Sequence, residues 1–132
     1  MKREILFRGK SIEPPTEGKW IIGSLVIHGN CSYIMPEIPF TPFGIVKYRV
    51  NPETVGQFTG MIDKNGKKIF EGDVVNHTRR TSNGLESANV EVYFDAEMLE
   101  FGLKYLNELF HCQFNNEFEV IGNIHDNKEL LK

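Results

Sequence analysis

Apolar and polar residues alternate in short runs along this chain, mostly with a period of two. Ile5 and Phe7 alternate with polar or partly polar neighbours. A longer apolar run over 20–27, Trp20 to Ile27, follows the turn-rich stretch 14–18. Its length and β-branched content predict a strand, and Gly23 predicts a bulge or bend within it. In 45–50, Val46, Tyr48 and Val50 share one side, and Asn51-Pro52 ends the run. Proline restricts the residue before it and has no N–H for a ladder. The strongest turn signal is Asp63-Lys64-Asn65-Gly66-Lys67. Asn-Gly between apolar segments predicts a hairpin with a type I′ turn, which needs positive φ at both central residues. Lys68-Ile69-Phe70 follows, then Glu71-Gly72-Asp73 and a strand over 74–78. Residues 80–88, rich in Ser, Asn and Gly, read as a mobile loop. The alternating run 90–94 should pair with the preceding strand, and 119–124 is the last strand.

Residues 96–110 fit two patterns. Leu99, Leu103, Leu106 and Phe110 have helical spacing, whereas Phe101, Leu103 and Tyr105 alternate as in a strand. Gly102 costs a helix about 1 kcal/mol relative to Ala, and turn punctuation on both sides favours a strand over 98–104. The tail predicts a short capped C-terminal helix, with Asp126 as cap and Glu129 completing a capping box. The longest irregular stretch is 29–43, where Pro36, Pro39 and Pro42 fall three apart. That spacing matches a polyproline II turn, which serves as a surface loop or as a docking segment for a partner.

Composition narrows the class. A chain of 132 residues, 40% apolar and 25% charged, is ordinary for one globular domain. Ten Phe, four Tyr and one Trp suit strands. The net charge of −3 argues against strong non-specific binding to nucleic acid or anionic membranes. Residues 1–80 nevertheless carry a balance of +4 and residues 81–132 one of −7. Such a division suits a basic face for a polyanion, a head-to-tail contact between subunits, or attraction within one fold. Cys31 and Cys112 are far apart without CxxC spacing, and the opening apolar segment Ile5-Leu6-Phe7 is too short for a signal-peptide core or a membrane span. The expected location is the cytoplasm, with reduced thiols.

Several segments are more specific together than alone. They are the opening Ile5-Leu6-Phe7-Arg8-Gly9-Lys10, then Trp20-Ile21-Ile22-Gly23-Ser24-Leu25, and the long run from Pro52 through Gly56-Gln57-Phe58-Thr59-Gly60-Met61 and Asp63-Lys64-Asn65-Gly66 to Glu71-Gly72-Asp73-Val74-Val75. The ending Glu119-Val120-Ile121-Gly122-Asn123-Ile124-His125-Asp126-Asn127 with Glu129-Leu130-Leu131 joins them. Together these segments resemble the YopX family of phage and prophage proteins. Lys128 stands where the family often has proline, and Pro36–Pro42 matches no family pattern, as a variable insert would. The resemblance implies a mainly β fold in a single domain, with N-terminal strands over about 1–60 and an SH3-like barrel over about 61–132. It also implies a bacterial host cell as the setting, and it brings no catalytic residues.

Reaction chemistry is sparse. Gly9-Lys10-Ser11 resembles the end of a phosphate-binding loop, but the position that needs the first glycine holds Glu4. Zinc could use His28 with Cys31 and His111 with Cys112, yet adjacent His111 and Cys112 would face opposite sides of a strand. No nucleophile elbow, metalloprotease or deaminase motif is present. Glu71-Gly72-Asp73 reads as a corner, with Gly72 at a conformation closed to other residues and Asp73 bonded to its own downstream backbone. The candidate binding residues are basic: Lys64, Lys67 and Lys68 at the hairpin tip, with His77, Arg79 and Arg80 at the end of the next strand. Small barrels use such loops for oligonucleotides, but these cations have no aromatic platform beside them. The expectation is a non-enzymatic accessory protein, without cofactor or metal, that binds a host or phage protein. The alternatives are a nucleic-acid-binding module using those six residues, or a self-assembling structural component.

Overall fold

The computed structural model describes residues 4–37, 39–105, 108–110 and 118–131. It is mainly β, with antiparallel sheets, and falls into two compact units, Met1–Phe58 and Thr59–Lys132.

The first unit contains β1 (Phe7–Lys10), β2 (Trp20–His28), β3 (Cys31–Pro36), the two-residue strands β4 (Phe40–Thr41) and β5 (Gly44–Ile45), β6 (Tyr48–Val50) and the start of β7 (Gly56–Ile62). The hydrogen-bonded order is β6-β3-β2-β1-β7. Gly23 is not a bulge. Its register runs unbroken to Phe7 on one side and Pro36 on the other. A Cβ at Gly23 would stand 1.9 Å from the Met35 carbonyl oxygen, so the glycine permits close approach of two backbones. Gly9 leaves room for the Val50 side chain, whose Cβ lies 2.9 Å from where a methyl would be. Gly9, Ile34 and Val50 are buried, together with Ser11 and Ser32.

Beyond β1 the chain turns back onto β6. Ser11 bridges Val50, Ile12 N–H donates to the Arg49 carbonyl (3.0 Å), and Asn51 N–H donates to that of Lys10 (2.9 Å). The sheet therefore curls, but without a continuous closing ladder. Asn51-Pro52 ends β6 as its chemistry predicts. The Asn51 side chain accepts from Glu53 N–H, and Pro52 opens a 3-10 turn, Pro52–Thr54. The stretch expected as polyproline II is instead the end of β3 and the β4–β5 hairpin. Thr41 Oγ1 accepts from Phe43 N–H (3.1 Å) and donates to the Gly44 carbonyl (3.0 Å), which closes the turn locally. Gly44 has φ 118°, the conformation the turn needs.

The second unit holds the end of β7, then β8 (Lys68–Phe70), β9 (Asp73–Thr81), β10 (Gly84–Asp95), β11 (Glu100–Tyr105), β12 (Glu108–Phe110) and β13 (Glu119–Asn123). Its sheet runs β12-β11-β10-β9-β13 over a core of Ile69, Val75, Val90, Val92, Leu103 and Phe118. The ambiguous segment is thus strand. Gly102, a poor helix residue, sits opposite Tyr93 in the ladder.

Four expectations for this unit need correction. The Asn65-Gly66 turn is not type I′, since Gly66 alone has positive φ (81°). Gly66 N–H donates to Asp63 O and Asp63 N–H to Lys67 O, the pattern of a type I turn followed by a left-handed glycine. Residues 80–88 are not a loop: the β9–β10 ladder extends to Thr81 opposite Gly84, and the Thr78 and Ser87 hydroxyls bond across it at 2.9 Å. No barrel closes among the described residues, because β12 and β13 end an open order and no pairing joins them. The C-terminal helix is a single 3-10 turn, Lys128–Leu131. There the polar residues tie back to β13 instead of starting a helix. Asn127 Oδ1 accepts from Asn123 N–H, while Asn123 Oδ1 accepts from His125 and Asp126 N–H.

The corner at Glu71-Gly72-Asp73 is structural. Gly72 has φ 92°, its N–H donates to Val92 O, and its carbonyl accepts from Ile124 N–H. Asp73, 1% exposed, accepts from Phe70 N–H at 2.7 Å, upstream rather than downstream.

Candidate functional site

The six basic residues singled out from the sequence lie on two stretches of the second unit, the β7–β8 turn with the start of β8, and the strand β9. Lys64 and Lys67 are exposed at the β7–β8 turn, and Lys68 opens β8 half-buried. The Lys64 ammonium lies 3.2 Å from Glu119 Oε2, and the Lys64 backbone N–H donates to the Phe118 carbonyl. His77 stacks on Phe118, with ring centroids 4.6 Å apart and planes at 18°. Phe118 therefore links Lys64 to His77, but as part of the core, and an acidic neighbour already holds Lys64. Arg79 and Arg80 continue β9 at register positions opposite Glu86 and Leu85. Asp63 anchors the turn itself. One oxygen accepts from Asn65 and Lys67 N–H, the other from Val120 N–H. Burial alone would raise its pKa, but these donors and the Lys67 charge outweigh it, so the carboxyl is held below its ordinary value.

A second set of cations lies on the first unit, on the sheet face opposite Gly9, Ile34 and Val50. Period two determines its membership: Arg8 and Lys10 in β1, Trp20 and Ile22 in β2, Tyr33 in β3, Arg49 in β6. The Arg8 guanidinium stands 4.7 Å from the Trp20 ring centroid and the Lys10 ammonium 5.8 Å from it. The Lys47 ammonium stands 4.2 Å from the Tyr33 centroid. Arg49, opposite Tyr33 in the ladder, reaches Glu13 at 3.8 Å as an exposed pair. Burial, then Cys31 beside it, pushes the Tyr33 phenol above its ordinary pKa. Here cations and aromatic rings are interleaved. The signal was present as two pairs of cations two residues apart, Arg8/Lys10 and Lys47/Arg49, but only strand pairing shows which rings they meet.

Of the four metal candidates, two lie among the described residues. His28 and Cys31 are opposite each other where β2 meets β3, while His111 and Cys112 lie outside the described residues. Among the described residues no group of three or more His, Cys, Asp or Glu is placed to hold a metal ion. No helix among them is long and apolar enough to cross a membrane.

Comparison with known proteins gives one family. The family model described as YopX protein matches residues 30–132, a stretch that contains Tyr33, Lys47 and Arg49 but not Arg8, Lys10 or Trp20. No curated protein matches the chain. Among solved structures it is similar to the crystal structure of protein EF1440 from Enterococcus faecalis. The TM-score is 0.55 at 22% identity, over 99% of this chain and 100% of that one. At that identity the likeness concerns the fold.

Proposed function

The chain belongs to the YopX family, and from that premise we propose that it is a non-enzymatic phage or prophage accessory protein that binds a host or phage protein through the β4–β5 hairpin. One observation carries the reading. Phe43, at the tip of this hairpin, is 99% exposed, and Ile45 beside it is 66% exposed. An aromatic ring held out on a turn locked by Thr41 loses little freedom on docking, which suits an anchor for a partner's pocket. The setting is the cytoplasm of the bacterial host.

The test is a tagged pull-down from host lysate with nuclease present, comparing the natural chain with Phe43→Ser. A discrete protein captured by the natural chain and lost by the variant is the expected result. Equal capture by both would remove the hairpin from the interface.

A further inference from the structure

We infer that the cation-lined outer face of the first unit binds single-stranded nucleic acid, with bases stacked on Trp20 and Tyr33 and phosphates held by Lys10, Lys47 and Arg49, while Arg8, whose Nε and Nη2 are buried, stays against the Trp20 ring. The inference is independent of the hairpin reading, since Phe43 takes no part in it.

Three observations lead to it. The first is composition of the face. The positions that alternation assigns to it in β1, β2, β3 and β6 include three cations, Arg8, Lys10 and Arg49, and no Asp or Glu. Residues 1–58 as a whole carry seven Lys/Arg against five Asp/Glu, while the rest of the chain is strongly acidic. The whole-chain charge of −3 thus conceals a local excess of the sign a polyanion needs.

The second is the pairing of each ring with a cation at its face, at 4.7, 5.8 and 4.2 Å. Stacking platforms for single strands use this combination, an aromatic plane for the base and a cation beside it for the phosphate. An exposed cation–π contact is weaker than base–aromatic stacking. A strand can therefore take over the ring face while the displaced cation turns to the phosphate, and both exchanges favour the complex. A duplex offers no free base faces, so the site discriminates in favour of single strands.

The third is spacing. Tyr33 is opposite Val26, which lies six residues along β2 from Trp20. At the rise of a strand this is about 20 Å, a span for several nucleotides rather than one mononucleotide. Arg49 is opposite Tyr33, and Lys10 is opposite Trp20, so each platform has a cation next to it.

Trp20 is the one tryptophan of the chain, so its fluorescence reports on the site directly. The experiment titrates the full chain with labelled oligothymidylate of about 16 nucleotides, the upper end of the site size of small barrel folds. It reads anisotropy of the label and quenching of Trp20, with the matching duplex as comparison. The expected result is saturable binding with quenching, and weaker binding of the duplex. Three phosphate contacts predict a slope of log K on log salt of about −2, a loss of about twentyfold between 50 and 200 mM. Trp20→Leu and Tyr33→Ala should each cost about tenfold or more, while Trp20→Phe should retain most of the affinity. Arg49→Glu and Lys47→Glu, both at exposed positions, should weaken binding without altering the circular dichroism spectrum, which covers the chance that Trp20→Leu fails to fold. Lys67→Glu should leave affinity unchanged. Absence of binding at 50 mM salt would overturn the inference. So would binding lost in Lys67→Glu but kept in Arg49→Glu and Tyr33→Ala.

Discussion

Asp63 is 4% exposed, and both of its carboxylate oxygens accept backbone N–H bonds, at 2.9 and 2.8 Å from its own turn and 2.9 Å from Val120. Removing it leaves three donors without their partner, so Asp63→Ala should cost about 3 kcal/mol in denaturant unfolding. Its depressed pKa stabilises the fold above the ordinary carboxylate range, and this contribution is lost as pH falls through the folded-state value. The natural chain should therefore lose more stability than Asp63→Ala between neutral pH and about pH 3. Glu91 has the opposite sign. Burial raises its pKa, Lys104 opposite it counteracts, and Glu71 adds to the rise. Its stabilising, protonated form is present at low pH and lost as pH rises through the folded value. Glu91→Gln should therefore be slightly more stable than the natural chain at neutral pH, by less than about 1 kcal/mol because the group is half-exposed. Thermal unfolding at pH 7, about pH 4 and about pH 3 checks both signs. Neither effect was visible in the sequence: Asp63 was legible as a turn residue, but its bond to Val120 spans 57 positions.

At the scale of elements, period two located the strands well and turn chemistry less well. The hairpin at Asn65-Gly66 was legible, but its type was not, because the Asp63 side chain holds Asn65 and Lys67 N–H in the type I arrangement. Residues 80–88 look like a loop by composition, yet the paired hydroxyls of Thr78 and Ser87 and the hydrogen bond from the Asn76 side-chain amide to Asn89 Oδ1 support the ladder that runs through them. Polar residues in facing register satisfy a sheet as well as a loop. Glycines at 23 and 66 have different causes, and substitution separates them. Gly23→Ala drives a methyl into the Met35 carbonyl and should cost about 3 kcal/mol or prevent folding. Gly66→Ala meets nothing within 4 Å but keeps a φ of 81°, so its cost should be only about 1 kcal/mol. Chemical denaturation of the two variants side by side gives the comparison.

For the whole molecule the two proposed surfaces are separable, because Phe43 stands out on a turn while the cations and rings lie along the sheet. Phe43→Ser should keep the melting temperature and the oligonucleotide affinity of the natural chain while losing protein capture. Arg49→Glu should do the reverse. Phe43 buries nothing in the free protein at 99% exposure, so its loss has no route to the core. Measuring both properties on both variants shows whether the surfaces act independently.

The sequence by itself determined the β class, the positions of most strands, the corner at Gly72, and enough of the family pattern to place the chain in the YopX family. Those features are local: alternation, turn residues and a run of adjacent positions. Only the tertiary structure decided which cations meet which rings, which end of the chain curls, and that Asp63 bonds Val120. Alternation assigns residues to two faces of a strand, but it does not say which strands are neighbours or which face is covered. Arg8 reaches Trp20 because β1 pairs with β2 in one register, and a shift of one residue would put them on opposite faces.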